Sequence, residues 1–358
     1  MKNLFGLFLL VLVGCGGPVE EPKVSEEPVQ SLPAFSIAAS EYPSWSTFMV
    51  AAKAGLINAD QGGKHGTLEE KWGCDVVLSS KDYDTCLTMY GSGIVDAVCI
   101  TNIDALKPSL TILSTAILPT STSASADKVI AVGIESIDDL KGQKVYGLSK
   151  SVSEYLFVRG LQTEGLLPEN YSFNHLDPAA AATSLQTGSN EVKAICVWNP
   201  FALQTTRTVP NSKVLFDSSV IPEEIIDMVI MSNVALEKVG SQEFACCVCD
   251  VFYTVCSKID APESSDATLK ALGEDFSHLS VEDMKICATE TAFYKTPDAG
   301  IKLFSGESLP AKMKTVVETC KLIKILDDVE PSLAYGKSGD QVHLNFDPQY
   351  MERSKTGK

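Results

Sequence analysis

The chain has 358 residues, of which 45% are hydrophobic and 21% charged, a composition typical of globular proteins and unlike disordered or collagen-like chains. Its 29 basic and 46 acidic residues give a net charge of −17, which argues against nucleic acid as a partner because phosphate binding requires a basic face. The length favours two domains or one large two-lobed unit.

The N-terminal segment is typical of an export signal. A short positive stretch, Met1-Lys2-Asn3, precedes an apolar run over residues 4–13, which is shorter than the roughly 20 residues of a membrane-spanning helix. The run ends at Leu12-Val13-Gly14-Cys15, which resembles a bacterial lipobox, and this resemblance implies that Cys15 carries lipid after cleavage. We predict a signal peptide over residues 1–14 and a lipoprotein in the periplasm or on the cell surface, attached to the membrane through this lipid only. A plain signal peptide with an unrelated cysteine is the alternative.

Residues 15–33 are predicted to form a flexible tether, because residues 16–33 contain four prolines and four glutamates without an apolar period. Strands are then expected at residues 35–39, 75–78, 96–100, 110–118, 128–132, 144–147, 194–197, 213–216 and 228–231. Helices are expected at residues 44–54, 82–90, 136–140, 149–163 and 178–188, and the chain from 233 to about 327 is mainly helical. Alternating strands and helices predict an α/β fold whose ligands bind beyond the carboxyl ends of strands.

The ten cysteines after Cys15 are interpreted as core thiols rather than zinc ligands. Cys246-Cys247-x-Cys249 suggests a metal cluster at first sight. However, Cys249, Phe252, Tyr253 and Cys256 follow the spacing of one helical face. One or two disulfides remain open, and the four scattered histidines indicate no HExxH-type site, so no metal or cofactor is predicted.

Three motifs in chain order resemble the solute-binding proteins of nitrate/sulfonate/taurine ABC importers. They are YGSGIVDA at residues 90–97, SIDDLKGQKV at 136–145 and NEVKAICVWNPF at 190–201, the last with Lys193 in place of the usual acidic residue. The resemblance implies a type II periplasmic binding protein fold, with two lobes, mixed sheets flanked by helices and two crossover strands. It also implies an ABC permease as partner, a monomer and no enzymatic activity. We place lobe 1 at residues 34–119 plus 228–348, and lobe 2 with the crossover segments at residues 120–227.

A narrower resemblance concerns a subgroup associated with urea and guanidine carboxylase metabolism. It rests on SEYPSWS, KDYDTCLTMYGSG, CITNIDAL, ILPTSTSASAD, VSEYLFVR, VWNPF and IPEEIIDMV. The ligand implied by this resemblance is a small cationic nitrogen compound, with guanidinium as the best candidate.

The predicted strand-end loops are rich in acids and aromatics and poor in basic residues. A planar guanidinium presents a fork of N–H donors to carboxylates, and its faces stack on aromatic rings. The candidate ligand-binding residues are Glu41, Tyr42, Trp45, Asp82, Thr101, Asn102, Asp104, Ser123, Asp127, Glu154, Trp198 and Asp227. Each acid also has an ordinary interpretation, such as helix capping by Asp82 or a first-turn position for Asp104.

The alternative function is capture of a small anion, such as taurine, an alkyl sulfonate or nitrate, on the same fold. Lys81, Lys150 and the helix N-terminus at residues 149–153 would then hold the ligand. An enzyme is the weakest alternative, because no nucleophile-elbow or paired metal motif occurs in the sequence.

Overall fold

The structure, a computed structural model, describes residues 31–275, 278–327, 329–336 and 341–357. The predicted signal peptide, Cys15 and nearly all of the predicted tether lie outside the described residues. From Leu32 onward the chain forms one compact unit. Within the described ranges, no helix is long and apolar enough to cross a bilayer.

Strands and helices alternate through the first two thirds of the unit, and helices dominate afterwards. The strands are β1 (Ala34–Ala39), β2 (Asp75–Ser80), β3 (Ala97–Thr101), β4 (Ser114–Ser123), β5 (Asp127–Val132), β6 (Lys144–Gly147), β7 (Ser172–His175), β8 (Ala194–Trp198), β9 (Ser212–Asp217), β10 (Ile226–Ser232), β11 (Thr291–Phe293), β12 (Leu333–Tyr335) and β13 (Leu344–Phe346). The helices are α1 (Thr47–Lys53), α2 (Thr67–Trp72), α3 (Tyr83–Gly91), α4 (Leu106–Ser109), α5 (Val152–Thr163), α6 (Pro178–Gln186), α7 (Phe201–Thr208), α8 (Asn233–Leu236), α9 (Ser241–Asp260), α10 (Ser265–Asp275), α11 (Val281–Glu290), α12 (Pro297–Ser305), α13 (Ser308–Leu322) and α14 (Gln349–Thr356).

Two mixed sheets organise the molecule, in agreement with the predicted fold class. The larger sheet has the order β12-β13-β4-β10-β3-β1-β2, with β11 added to β4, and the smaller has the order β7-β6-β8-β5-β9. The chain passes from the larger to the smaller sheet through residues 124–126 and returns through residues 218–225. Two short connections therefore join the parts of the molecule built on the two sheets.

Strand β4 differs from its prediction in a way that matters for the site. We expected a strand over residues 110–118 and a loop or crossover from 119 or 120 onward, because Pro119 and the Ser/Thr run are turn-forming. Instead β4 continues to Ser123 and is buried along its whole length. Pro119 lies at a register irregularity with β10, where its missing N–H is tolerated.

The helical tail covers the larger sheet and contains the predicted cysteine-bearing face. Cys249, Phe252, Tyr253 and Cys256 are all buried on α9, which confirms their assignment to one packed helical face. All ten described cysteines are buried and unpaired. Helix α14 packs against α9, so the ordered fold extends beyond residue 348.

Candidate functional site

A small inner cavity of about 10 Å³ lies between the parts of the molecule built on the two sheets. This volume holds about one water molecule, so a larger ligand requires the walls to move apart. The cavity is lined by Tyr42, Trp45, Tyr83, Thr101, Asp127, Val152, Trp198, Ile225 and Asp227.

Strand register brings the polar lining together. In the larger sheet, Asp227 pairs with Thr101 on one side and Ser121 on the other. Ser121 Oγ donates a hydrogen bond of 2.6 Å to Asp227 Oδ2. In the smaller sheet, Asp127 is the cross-strand partner of Trp198. Residues far apart in sequence therefore meet at one end of each sheet.

Three buried carboxylates are the dominant chemical feature of this region. Asp104 is 5% exposed, Asp127 is 3% exposed and Asp227 is 1% exposed. Burial raises the pKa of Asp104 to about 6, although hydrogen bonds from Tyr83, Thr101 and the Val152 backbone lower it. Burial also raises the pKa of Asp127 to about 6, against the lowering effect of Ser123. Burial, followed by repulsion from Asp127 and Asp104, raises the pKa of Asp227 well above its usual range.

Hydroxyl groups hold all three of these carboxylates in place, Asp227 through Ser121. Tyr83 Oη donates to Asp104 Oδ2 at 2.8 Å, and Thr101 Oγ1 donates to the same oxygen at 3.0 Å. Ser123 Oγ donates to Asp127 Oδ2 at 2.5 Å. Asp104 thus lies behind the Tyr83 and Thr101 walls of the inner cavity, whereas Asp127 and Asp227 line it directly.

Aromatic rings form the remaining walls. The Tyr42 and Trp45 centroids are 4.8 Å apart, and Trp45 stacks on Tyr83 at 5.5 Å with an interplanar angle of 21°. The Tyr83 and Trp198 rings meet edge to face at 5.7 Å. Faces of such rings attract weakly hydrated cations. The aromatic walls and the carboxylates therefore both favour a positively charged ligand.

None of the residues lining the inner cavity is basic. Lys128 follows Asp127 in the chain, but its Nζ donates to Glu290 Oε1 at 2.8 Å and to the Ser125 carbonyl. Lys81 and Lys150, the cations predicted for an anion site, are exposed, and neither lines the inner cavity. The lining therefore offers an anion no cationic side chain.

A wider outer cleft of about 490 Å³, open to solvent, adjoins the inner cavity through Tyr83 and Trp198. Glu41 and Asp82 lie here rather than in the inner cavity. Asp82 caps α3, because its carboxylate accepts from the Thr85 N–H at 2.9 Å and the Thr85 hydroxyl at 2.6 Å. Asp82 therefore acts as a helix cap. Both Glu41 and Asp82 lie apart from the three buried carboxylates.

Two other candidates are committed to backbone contacts. Asn102 Nδ2 donates to the Glu224 carbonyl at 3.0 Å, while its Oδ1 accepts from the Ile226 N–H at 2.9 Å. Glu154 Oε2 accepts from the Lys150 N–H at 2.6 Å. Neither residue lines the inner cavity, because Asn102 secures the return connection and Glu154 braces the start of α5.

Four residues at the site were absent from the sequence-based candidates: Tyr83, Ser121, Val152 and Ile225. Tyr83 could have been found, since it belongs to the aromatic set of the same loops. Val152 and Ile225 are ordinary apolar residues in the sequence. Only the approach of α5 and the return connection brings them to the cavity.

The arrangement of two sheets around a shared cavity matches known proteins in structure but not in sequence. No family model matches the chain, and no curated protein matches it. The aliphatic sulphonate binding protein SsuA of Escherichia coli is 17% identical, with a TM-score of 0.64 over 84% of this chain and 96% of that one. SsuA of Xanthomonas axonopodis pv. citri, bound to MOPS, is 14% identical, with a TM-score of 0.65 over 83% and 96%.

A Candida albicans protein, CA3427, extends the likeness to 91% of this chain and 95% of that one, at 12% identity and a TM-score of 0.60. It is described as exhibiting the generic periplasmic binding protein structural fold. The present chain has the periplasmic binding protein fold. Identities this low establish the fold alone.

Proposed function

We propose that the protein is the solute-binding component of an ABC importer and that it captures a small planar cation of the guanidinium type. The observation that carries the proposal is the inner cavity, in which Asp127, Asp227 and the adjacent Asp104 are buried among aromatic rings without a basic lining residue. Buried carboxylates are strongly unfavourable unless a cation or proton neutralises them. A guanidinium ion supplies that charge.

The residue types that line the cavity support the same ligand class. A guanidinium ion is flat and presents N–H donors in its plane, and Asp127 and Asp227 supply lining carboxylates that can accept from them. Trp45 and Tyr83 line the cavity, and aromatic rings are the kind of surface on which a guanidinium stacks. Urea has a similar shape but no charge, and it is therefore the most informative comparison compound.

A small anion is the second candidate, because two features of the cavity favour an acceptor. The buried Nε1 of Trp45 has no hydrogen-bond partner among the described residues. Val152, the first residue of α5, lines the cavity, and helix N-termini attract anions. However, the Val152 N–H already interacts with Asp104, and that carboxylate occupies the position an anion would take.

Calorimetric titration of the full chain separates the two candidates. The panel is guanidinium, methylguanidine, agmatine, urea, taurine, nitrate and an alkyl sulfonate, each at low millimolar concentration. We expect guanidinium to bind and urea to bind at least about tenfold more weakly, because only the cation compensates the buried charge. Taurine or nitrate binding without guanidinium binding would refute the cation proposal.

Two variants test where the ligand binds. Asp227→Asn keeps the shape of the side chain and should weaken guanidinium binding by at least about tenfold. The matched control is Asp84→Asn, which removes an exposed acid of the outer cleft and should leave binding unchanged. Equal losses in both variants would indicate a general effect of net charge instead of a site.

Delivery to a permease, action as a monomer and anchoring in the periplasm or at the cell surface through Cys15 belong to the same proposal. They rest on the sequence motifs and on the fold. In cells, Cys15→Ser should release the protein from the membrane fraction while guanidinium binding is retained. Retention of this variant in the membrane would argue against a lipid anchor.

A further inference from the structure

We propose that His65, Glu69 and Asp75 form a binding site for a divalent transition-metal ion, with Zn²⁺ the best fit to the donor set. The three side chains come from the segment after α1, from α2 and from the start of β2. One potential ligand atom from each lies within 4.8 Å of the others. The site is separate from the inner cavity and independent of the proposed function.

Two polar atoms in this cluster are buried without hydrogen-bond partners among the described residues. They are Nδ1 of His65 and Oδ1 of Asp75. The side chain of Asp75 is 3% exposed and that of His65 is 11% exposed. A buried carboxylate oxygen without a hydrogen bond is costly, so a cation held between Asp75 and His65 would stabilise both side chains.

The separation of these two atoms is informative. His65 Nδ1 and Asp75 Oδ1 are 3.5 Å apart, which is long for a hydrogen bond. In a tetrahedral zinc site with bonds of about 2.0–2.1 Å, neighbouring ligand atoms are separated by roughly 3.3–3.4 Å. The observed spacing therefore resembles the edge of a metal-coordination tetrahedron.

The surrounding hydrogen bonds orient both carboxylates. Asp75 Oδ2 accepts from the Gly62 N–H at 2.6 Å, which leaves Oδ1 directed to His65. Glu69 Oε2 accepts from two backbone N–H groups, whereas Oε1 accepts only from Val76 at 2.8 Å. Each oxygen has two lone pairs, so Oε1 retains acceptor capacity. Such outer hydrogen bonds are typical of metal ligands.

One nitrogen and two oxygen donors, with a fourth position left for water, suit Zn²⁺. An ion here would join the segment around His65 to β2 and α2. Asp75 begins β2, whereas Ser80 ends it at the outer cleft, roughly 17 Å away along a strand with about 3.3 Å per residue. Metal binding should therefore leave ligand binding in the inner cavity unchanged.

Calorimetric titration of the chelator-treated full chain with Zn²⁺ alone tests the proposal. We expect one ion per chain, and His65→Gln should weaken binding by at least about tenfold. The matched control His278→Gln replaces an exposed histidine elsewhere and should leave the affinity unchanged. His65 is the chosen ligand because Glu69 also anchors three backbone N–H groups, and its replacement would threaten folding.

Co²⁺ distinguishes this site from adventitious binding to the cysteines. We expect d–d absorption without the intense near-ultraviolet band of a thiolate ligand, and loss of that absorption in His65→Gln. A thiolate band, no binding by the wild-type chain, or equal affinity in wild type and His65→Gln would each overturn the proposal. Guanidinium titration of His65→Gln supplies a separate readout, which bears on the inner cavity alone.

Discussion

Asp127 illustrates how burial changes the chemistry of an ordinary side chain. Water would stabilise its charge, but in the inner cavity it is 3% exposed and feels the charge of Asp104. Its pKa of about 6 makes the carboxylate sensitive to pH within a range where surface aspartates remain ionised. A cationic ligand would stabilise the charged form, so ligand binding and proton release should be linked.

We predict that guanidinium affinity falls as pH is lowered from 7 to 5. With the pKa of Asp127 and of Asp104 about 6, each carboxyl changes from mostly ionised to mostly protonated over this interval. Loss of one required charge weakens binding by about tenfold, and loss of both weakens it further. Calorimetry at several pH values measures the change. A constant dissociation constant from pH 7 to pH 5 would show that these carboxylates do not bind the ligand.

Stability of the ligand-free chain should change with pH in the direction opposite to affinity, so it should increase as the pH is lowered from 7 to 5. Folding raises the pKa of the Asp127 carboxyl from about 3.9 to about 6. Its ionisation does not affect the free energy of unfolding below about pH 3.9, and it destabilises the fold as pH rises through 6. We therefore predict that Asp127→Asn gains stability relative to wild type between pH 4 and pH 7, by up to about 3 kcal/mol. Urea unfolding of both proteins at each pH measures this difference, which a pH-independent offset would contradict.

At the scale of secondary structure, α3 and α5 bring different chemistry to the boundary between the inner cavity and the outer cleft. Asp82 caps α3 and thereby positions Tyr83, whose ring belongs to both spaces. Helix α5 places Val152 against Asp104 and packs closely on β9 through Gly160. Helix ends and helix packing therefore shape the walls of the site. Part of the charge of the site comes from residues outside these helices.

Replacing Asp82, the cap of α3, should lower the stability of the chain and leave ligand affinity nearly unchanged. We predict that Asp82→Ala lowers the free energy of unfolding by about 1 kcal/mol, because the Thr85 N–H loses its acceptor. Guanidinium affinity should stay within a factor of about two, since Asp82 lies in the outer cleft. Asp84→Ala, which removes a first-turn acid without a capping bond, is the comparison variant. Tenfold weaker binding in Asp82→Ala would assign a direct ligand role to this residue.

A pair of glycine substitutions tests the packing of α5. At Gly160 an added Cβ would lie 2.0 Å from Cε2 of the Phe216 ring, so Gly160→Ala should destabilise the chain by about 1–3 kcal/mol. Gly91 ends α3 with open space around it, and Gly91→Ala should be neutral or slightly stabilising. Thermal unfolding measures both variants. Equal midpoints would show that the contact with Phe216 relaxes without penalty.

At the scale of the whole molecule, the inner cavity depends on contributions from both sheets. Thr101 and Asp227 belong to strands of the larger sheet, whereas Asp127 and Trp198 belong to strands of the smaller. In the described part of the chain, two connections join these parts. Glu224 in the return connection accepts a bidentate pair of hydrogen bonds from Arg159 and a third from the Tyr155 hydroxyl. Charge repulsion across the cavity should oppose the approach of the two parts until a cation is bound.

We therefore predict that guanidinium makes the molecule more compact. At pH 8, above the pKa of about 6 of Asp104 and of Asp127, these two carboxylates are ionised and repel one another, and a bound cation removes that repulsion. Small-angle X-ray scattering should show a smaller radius of gyration with low-millimolar guanidinium than with the same concentration of sodium chloride. Tryptophan fluorescence should change as well, because Trp45 and Trp198 line the cavity. An identical radius in both salts would contradict a ligand-driven closure.

The sequence alone determined the α/β class, the helical cysteine face and much of the polar set at the cavity, because these follow from local periodicity and from residue chemistry. Tertiary structure decided which acids share one environment. Asp82 and Asp227 are equally acidic in the sequence, yet Asp82 is an exposed cap of α3, whereas Asp227 is paired with Ser121 and Thr101 inside a sheet. Burial depends on strand register and on the irregularity at Pro119, which arise from long-range pairing that local sequence does not encode.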